Sequence, residues 1–442
     1  MSDLDKYRQL LLSSGIAAEI MSGATTLYTA LRQRLDEATW NLVDAGRFYS
    51  SADILILPPD KDVVRKIVAA LNLILRDENL SVATGASARR VLTVYSNYLR
   101  PPVDTATTPD LTSYDTVIVT FSGGKDSLAS LLRTLELAKE QGRDLIADKA
   151  IELWHHDVDS PEEVEARGSF MDWPVTPAYV RAVADELGIP VYFSWKVGGF
   201  LREMLRKDSL TAPTKWEEPG GLIGQAGGER GKPSTRLRFP QVSADLSVRW
   251  CSAYLKIDVG SAAIRNQPRF LGKRTLVVSG ERAEESPGRA RYKQFEPDRA
   301  HLPGKRHVDH WRPVHQWKTT EVWEIIRRWG IVAHPAYRLG MGRVSCAFCI
   351  FGSPNQWATL KELLPEGFDR IAVLEKKFGS TIHRTLSVTE RAEKGTAYPI
   401  SDADVREGRR LVVKTTYNAP IRVSPKDWVL PAGAYAEAAG PT

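Results

Sequence analysis

A chain of 442 residues, 43% hydrophobic and 26% charged, carries apolar surface for two or three domains and is neither a peptide nor a disordered tail. Three cysteines are too few for a disulfide framework, and the N-terminal MSDLDKYRQLLLSSG and the short apolar run Ile67 to Leu75 read as neither a signal peptide nor a membrane span, so a reducing cytoplasm is expected. Lys and Arg outnumber Asp and Glu by 60 to 54, which suits a polyanionic partner without demanding one.

In chain order, Leu27, Leu31, Leu35, Ala38 and Leu42 recur at helical spacing and predict an amphipathic helix over Thr25 to Asp44. Further helices are expected from Asp60 to about Asp77 and from Ser87 to Leu99, with one strand-like run, Ile54 to Leu57. The segment Pro101 to Asp110 then breaks all periodicity. Residues 1–105 therefore read as a helical N-terminal domain. Beyond it, β-rich runs at Thr116–Phe121, Ala150–His155, Val191–Trp195 and Thr275–Gly280 alternate with helical stretches at Asp126–Glu140, Pro177–Leu187 and Thr319–Trp329. That alternation predicts an α/β domain over 113–358, a Rossmann-like parallel sheet with helices on both faces. The six glycines of Pro219–Pro233 suggest a mobile loop beside a site, or a linker. Residues 359–442 read as a helical stretch followed by a small β-containing appendage.

The sharpest signal is TVIVTFSGGKDSLASLLRTLEL, a strand that passes through Ser122, Gly123, Gly124, Lys125, Asp126 and Ser127 into a helix. Two glycines let the backbone turn tightly and approach a ligand, while the first amides and the positive end of the helix dipole face an anion. Lys125 adds a full charge and Ser122 and Ser127 offer hydroxyls. Asp126 can cap the helix or hold Mg2+ against a pyrophosphate. A glycine turn that merely joins strand to helix is the plainer alternative. The spacing is neither the Walker nor the dinucleotide pattern. SGGKDS resembles the PP-loop of ATP pyrophosphatases, and that resemblance implies an adenine nucleotide alpha hydrolase-like fold, cleavage of ATP between its α and β phosphates, and adenylation of an acceptor.

The next strand ends in HHDVD, placing His155 and Asp157 where adenosine contacts are expected; each could equally be an ordinary turn residue. Cys251 lies in RWCSAYLK and Cys346 and Cys349 form a C-x-x-C, with Arg249, Lys256 and Arg343 close by in sequence to favour thiolate. Twelve Lys or Arg against six Asp or Glu between Arg265 and Arg312 mark a basic stretch read as a substrate face. SGGKDS, HHDVD, RWCSAYLK, SGERAEESPGRARY and RPVHQWKTTEVWEIIRRWGIVAHPAYRLGMGRVSCAFC together resemble the phosphoadenosine phosphosulfate reductase-like branch of the PP-loop family, over about residues 113–358.

That resemblance implies ATP and Mg2+ at the loop, Gly280 among the nucleotide contacts, and Arg282 and Arg289 meeting anionic substrate groups. Reductases of this branch carry a nucleophilic cysteine near the C-terminus, and here no cysteine follows Cys349. The one-plus-two cysteine layout resembles PP-loop sulfurtransferases, which hold a four-iron four-sulfur (4Fe-4S) cluster on three cysteines, and the ATP pyrophosphatase subunit of bacterial DNA phosphorothioation systems. Zinc with His155 or His334 as fourth ligand is the rival occupant. The implied partners are a nucleic acid, DNA before tRNA, and a cysteine desulfurase or other sulfur donor. A sulfonucleotide reductase fed by thioredoxin, or a non-catalytic nucleotide-binding subunit, are the competing readings.

Overall fold

The computed structural model describes residues 30–37, 61–75, 88, 108–243 and 245–436. Contacts divide the chain into two units, Met1–Thr105 and Ala106–Thr442. In the first, α1 (Lys61–Ile74) matches the expected second helix, and Ile67, Leu71 and Ile74 are buried at the three- and four-residue spacing that predicted it. Of the first expected helix only residues 30–37 are described, with 30–32 helical; the Ile54–Leu57 run and, apart from Ala88, the Ser87–Leu99 helix lie outside the described residues.

The second unit is built on an eight-stranded sheet. Its strands are β1 (Thr116–Thr120), β2 (Ile151–Asp157), β3 (Val191–Lys196), β4 (Thr214–Glu217), β5 (Ile223–Ala226), β6 (Arg274–Val278), β7 (Phe295–Pro297) and β8 (His307–Trp311), in the order β5-β4-β3-β2-β1-β6-β8-β7. The five central strands β3, β2, β1, β6 and β8 are parallel, and β4, β5 and β7 add antiparallel edges. Winding runs from β1 outward through β2 to β3 and then resumes on the other side of β1 with β6, so the switch in direction falls between β1 and β6. A crevice opens at the carboxyl ends of strands at such a point.

Both faces of β1 are buried, as its unbroken apolar run requires. Val117 and Val119 face the larger core with α2 (Lys125–Glu140), α3 (Thr176–Leu187) and α5 (Thr319–Trp329), while Ile118 joins Val277, Val308 and Ala263 of α4 (Asp258–Asn266) on the other face. Two expectations fail here. The glycine-rich stretch 219–233 contains β5, which closes a hairpin on β4 through Glu218 and Leu222, so part of it is sheet edge. The C-terminal segment is helical, with α6 (Pro354–Leu363), α7 (Pro365–Phe378) and α8 (Ala403–Val412), and no strand follows β8 among the described residues. Leu411 and Val412, in the stretch expected to hold the β-containing appendage, end α8, and Trp357, Phe368, Ile371, Val405 and Val412 are buried in the same core as the sheet. No helix among the described residues is long and apolar enough to cross a membrane.

Candidate functional site: a phosphate loop beside a three-thiol centre

The loop between β1 and α2 opens at the crevice. Gly123 has φ +82°, a conformation side chains rarely adopt, and a Cβ on Gly124 would stand 2.9 Å from the Val344 carbonyl oxygen. A second close approach is Gly280, just after β6, where a Cβ would lie 2.6 Å from the Asp126 carbonyl carbon and the Ser127 nitrogen. Gly280 thus lets the β6 turn lie against the loop. The amides of Gly123, Gly124, Asp126 and Ser127 have no acceptor among the described residues. These four donors at the start of a sixteen-residue helix form a candidate cradle for an anion.

Not every expected donor is open. The Lys125 amide donates to Tyr337 Oη at 2.9 Å, and the Ser122 amide to Ser127 Oγ at 3.3 Å. Tyr337, fully buried beneath the loop, was invisible in the sequence because nothing in its spacing marks a residue 212 positions away as a cap. Lys125 Nζ bonds Asp126 Oδ2 at 2.9 Å, and Arg282 Nε bonds Asp126 Oδ1 at 2.6 Å. Burial alone would lower the Lys125 pKa, but the Asp126 carboxylate holds it above its ordinary value; burial opposes ionisation of Asp126, and Lys125 and Arg282 outweigh it to keep that pKa low. Arg282, only 3% exposed, also bonds Glu284, Thr319 Oγ1 and the Trp317 carbonyl. The structure therefore places Arg282 as the clamp on Asp126, and both Asp126 oxygens have cationic partners. A Mg2+ ligand role would require exchanging one of them, so no step is assigned to a metal on Asp126.

At the end of β2, His155 Nδ1 donates to the Phe121 carbonyl at 2.9 Å, and burial pushes its pKa down to about 4, leaving a neutral ring whose Nε2 has no partner among the described residues. Asp157 accepts from the Asp159 amide, and burial, with Asp159 beside it, raises its pKa to about 7. Asp159 itself accepts from the amides of Phe170, Met171 and Asp172 and ties that turn to the strand. Both groups are buried and serve the strand end as it stands. His334, the other candidate zinc ligand, caps Pro335–Leu339 through the Ala336 amide and faces Thr176 Oγ1 at 3.3 Å.

The cysteines do gather. Cys251, Cys346 and Cys349 are half-buried free thiols; Cys349 bears on the ionisation of Cys251, both bear on that of Cys346, and Lys256 responds to all three. Local backbone explains Lys256: the chain passes from Trp250–Ser252 through a single wide π-type turn, Ala253–Ile257, before α4. Such turns concentrate at functional sites. The Phe348 amide donates to the Met171 carbonyl at 3.1 Å and fixes the C-x-x-C segment to the turn that carries Asp172. Burial raises Asp172 to about 8, with Asp159 adding to it and Lys256 opposing.

Two readings of this centre need correction. Basic neighbours were expected to favour thiolate, yet burial wins: it pushes Cys251 up to about 11 and Cys346 well above the ordinary thiol range in spite of Lys256. And among the described residues no three His, Cys, Asp or Glu side chains are grouped to hold a metal ion. The donor set as folded does not form a Cys3His zinc site, it gives an iron–sulfur cluster no support, and no step is routed through either.

The basic stretch Arg265–Arg312 is not one face. Arg282, Arg289, Arg291, Lys293 and Arg312 lie at the carboxyl end of β6 and β8, whereas Arg265, Arg269, Lys273, Arg274, Arg299, Lys305 and Arg306 flank the opposite edge. Arg289 pairs with Glu285, and Arg312 bonds Glu281 at 2.6 Å and Glu296 at 2.7 Å. Burial would raise Glu281, but Arg312, His310 and Arg289 hold it down to about 2. A broad groove at the far end of α2 is lined by Glu136, Arg328, Glu186 and Arg422, whose charges pair off as Arg328–Glu136 and Arg422–Glu186.

Residues 238–351, which supply the cysteines, Lys256, Gly280, Arg282 and Arg289, match the family model described as phosphoadenosine phosphosulfate reductase domain. The chain resembles that domain over these 114 of its 442 residues. It is also 27% identical over 193 residues, 44% of its length, to an uncharacterized 37.8 kDa protein in the gpa 5' region of Escherichia phage 186, and spans about half (53%) of that relative. Among solved structures, it is similar to Candida glabrata FMN adenylyltransferase in complex with FMN and the ATP analogue AMPCPP, at 12% identity, with 87% of this chain and 92% of that one covered and a TM-score of 0.30. Yeast FAD synthetase in complex with FAD is similar at 14% identity, covering 82% of this chain and 99% of that one, with a TM-score of 0.30. Likeness at that level decides nothing about activity.

Proposed function

We propose that the protein is an ATP pyrophosphatase that binds MgATP on Ser122–Ser127, adenylates an oxygen of an acceptor with release of pyrophosphate, and supports sulfur transfer to that centre. The observation that carries this reading is the cradle of four open amides at the start of α2, set at the switch point of the sheet. Those amides and Lys125 would stabilise charge as it develops on the departing pyrophosphate. Sulfur transfer is supported by the three thiols around Lys256, two of which, Cys346 and Cys349, lie on the segment 343–349 whose backbone abuts the phosphate loop at Val344. The acceptor we favour is a DNA phosphate, as in phosphorothioation, with tRNA second and a cysteine desulfurase as sulfur donor, in the cytoplasm. Mixing the protein with MgATP and acceptor should release pyrophosphate and leave AMP on the acceptor, to be displaced as free AMP once the sulfur donor is added; ADP and inorganic phosphate as main products would sink the reading.

The family match favours a second reading, reduction of an activated sulfate with electrons from thioredoxin. Sulfite release from adenosine phosphosulfate and reduced thioredoxin, with no pyrophosphate from ATP, would establish this reading instead.

A further inference from the structure

Among the described residues, one buried cation stands without an answering group. Arg249 is 8% exposed, and its Nε and Nη1 have no hydrogen-bond partner, although its backbone is tied down by the Asp245 carbonyl at 2.9 Å. Buried guanidinium donors are nearly always satisfied, and an uncompensated buried charge is strongly destabilising. Its surroundings add positive charge: burial, and the nearby charges of Arg289 and Arg343, lower the Arg249 pKa, while Cys251 and Tyr292 act the other way. Arg289 and Arg343 thus lie within electrostatic reach of Arg249, as does Cys251, and Glu285 is already committed to Arg289.

The position of this cluster is set by the chain. Arg249 precedes Cys251 by two residues. Arg343 is followed by Val344, whose carbonyl oxygen would lie 2.9 Å from a Cβ on Gly124, and two residues further comes Cys346. The arginines thus lie where the phosphate loop gives way to the thiols.

We infer that Arg249, with Arg289 and Arg343, forms a second anion subsite that takes a tetrahedral oxyanion of the acceptor, apart from the phosphates of the nucleotide. A guanidinium fork suits phosphate or sulfate oxygens, and a phosphodiester held there would sit between the nucleotide and the thiols that supply sulfur. The inference names the acceptor side of the site proposed above and rests on that reading for its role, but the anion site itself can be tested alone.

The test measures thermal unfolding of the full chain against sodium sulfate at constant ionic strength, with and without saturating MgAMPCPP, for wild type, Arg249→Met and Arg249→Lys. A saturable rise in the wild-type midpoint is expected in both conditions, since a ligand that binds only the folded state stabilises it. Arg249→Met should unfold at or above the wild-type midpoint without sulfate, having lost an unpaired buried charge, and should need about tenfold more sulfate for the same rise. Arg249→Lys keeps the charge but not the fork and should fall between the two; it also serves if the Met variant does not fold. A sulfate response in Arg249→Met equal to wild type overturns the inference, and so does a wild-type response abolished by MgAMPCPP, which would assign Arg249 to the nucleotide phosphates. If MgAMPCPP does not bind while the sulfate response still depends on Arg249, the ATP reading falls and the anion site stands. Displacement of sulfate by a short DNA duplex would identify a phosphodiester as occupant; displacement by adenosine phosphosulfate alone would identify a small sulfonucleotide.

Discussion

Lys125 is 5% exposed and held by a single carboxylate, so its ammonium is already in place before a ligand arrives. Removing it should leave nucleotide binding weakened and the leaving pyrophosphate poorly stabilised. Lys125→Ala is expected to lose ~1.5 to 3 kcal/mol of transition-state binding, about ten- to more than a hundredfold in kcat/KM for pyrophosphate release. Unchanged turnover would remove Lys125 from the mechanism. Asp157 makes a different kind of prediction. Its carboxyl is raised from 3.8 to about 7 by burial and by Asp159, so the folded chain keeps a proton that the unfolded chain gives up. The stability that comes from this is present at low pH and is lost as pH rises from about 4 through about 7. Relative to Asp157→Asn, wild type should therefore weaken by up to ~1.4 kcal/mol per pH unit across that window and hold a constant difference above it. Urea unfolding midpoints at pH 5, 6, 7 and 8 read this directly, and a difference independent of pH would mean that Asp157 is ionised in the native state.

At the scale of elements, the site depends on one turn being allowed to touch another. The β6–Gly280 turn meets the start of α2 so closely that the Cβ of an alanine would sit 2.6 Å from loop backbone, with no flexible side chain to give way. Gly280→Ala should displace the Asp126 and Ser127 amides and reduce MgAMPCPP affinity by at least about tenfold, while far-UV circular dichroism stays native, since β6 itself is unaffected. Full affinity in that variant would show that the cradle is not where the nucleotide phosphates bind. The π-type turn at Ala253–Ile257 belongs to this scale as well. Reading RWCSAYLK as ordinary helix would put Cys251 and Lys256 on different faces, and only the wider turn brings the ammonium to the thiols.

For the whole molecule, the C-terminal fifth is part of the fold rather than an attachment to it. Trp357, Phe368, Ile371 and Val405 share the core of the sheet, Trp323 Nε1 donates to the Ala434 carbonyl, and Trp428 Nε1 donates to the Ile331 carbonyl. A chain ended after residue 358 would expose this core on one side. It should lose its near-UV circular dichroism and bind a hydrophobic dye, the behaviour of a chain without fixed packing. A cooperative unfolding transition in that truncated chain would make residues 359–442 dispensable.

The sequence alone determined the wound sheet and its phosphate loop, because both rest on local physics. An apolar strand, two glycines and a leucine-striped helix are contiguous in TVIVTFSGGKDSLASLLRTLEL, and α5 was read to the residue from its own periodicity. The gathering of three distant cysteines was anticipated from layout, but their ionisation was not. Proximity in sequence suggested thiolates, whereas burial, which no local pattern records, raises the pKa of Cys251 and Cys346. The same limit hid Tyr337 under the loop, turned Arg282 from an expected substrate contact into the clamp on Asp126, and split one basic stretch between the two edges of the sheet. Strands β4, β5, β7 and β8 were missed since they are three to five residues long and three of them pair antiparallel at an edge, where half-exposed side chains leave no apolar run to read. Local propensity fixes what a segment can become; desolvation and the pairing of charges depend on what lies opposite, and that is settled only when the chain has closed on itself.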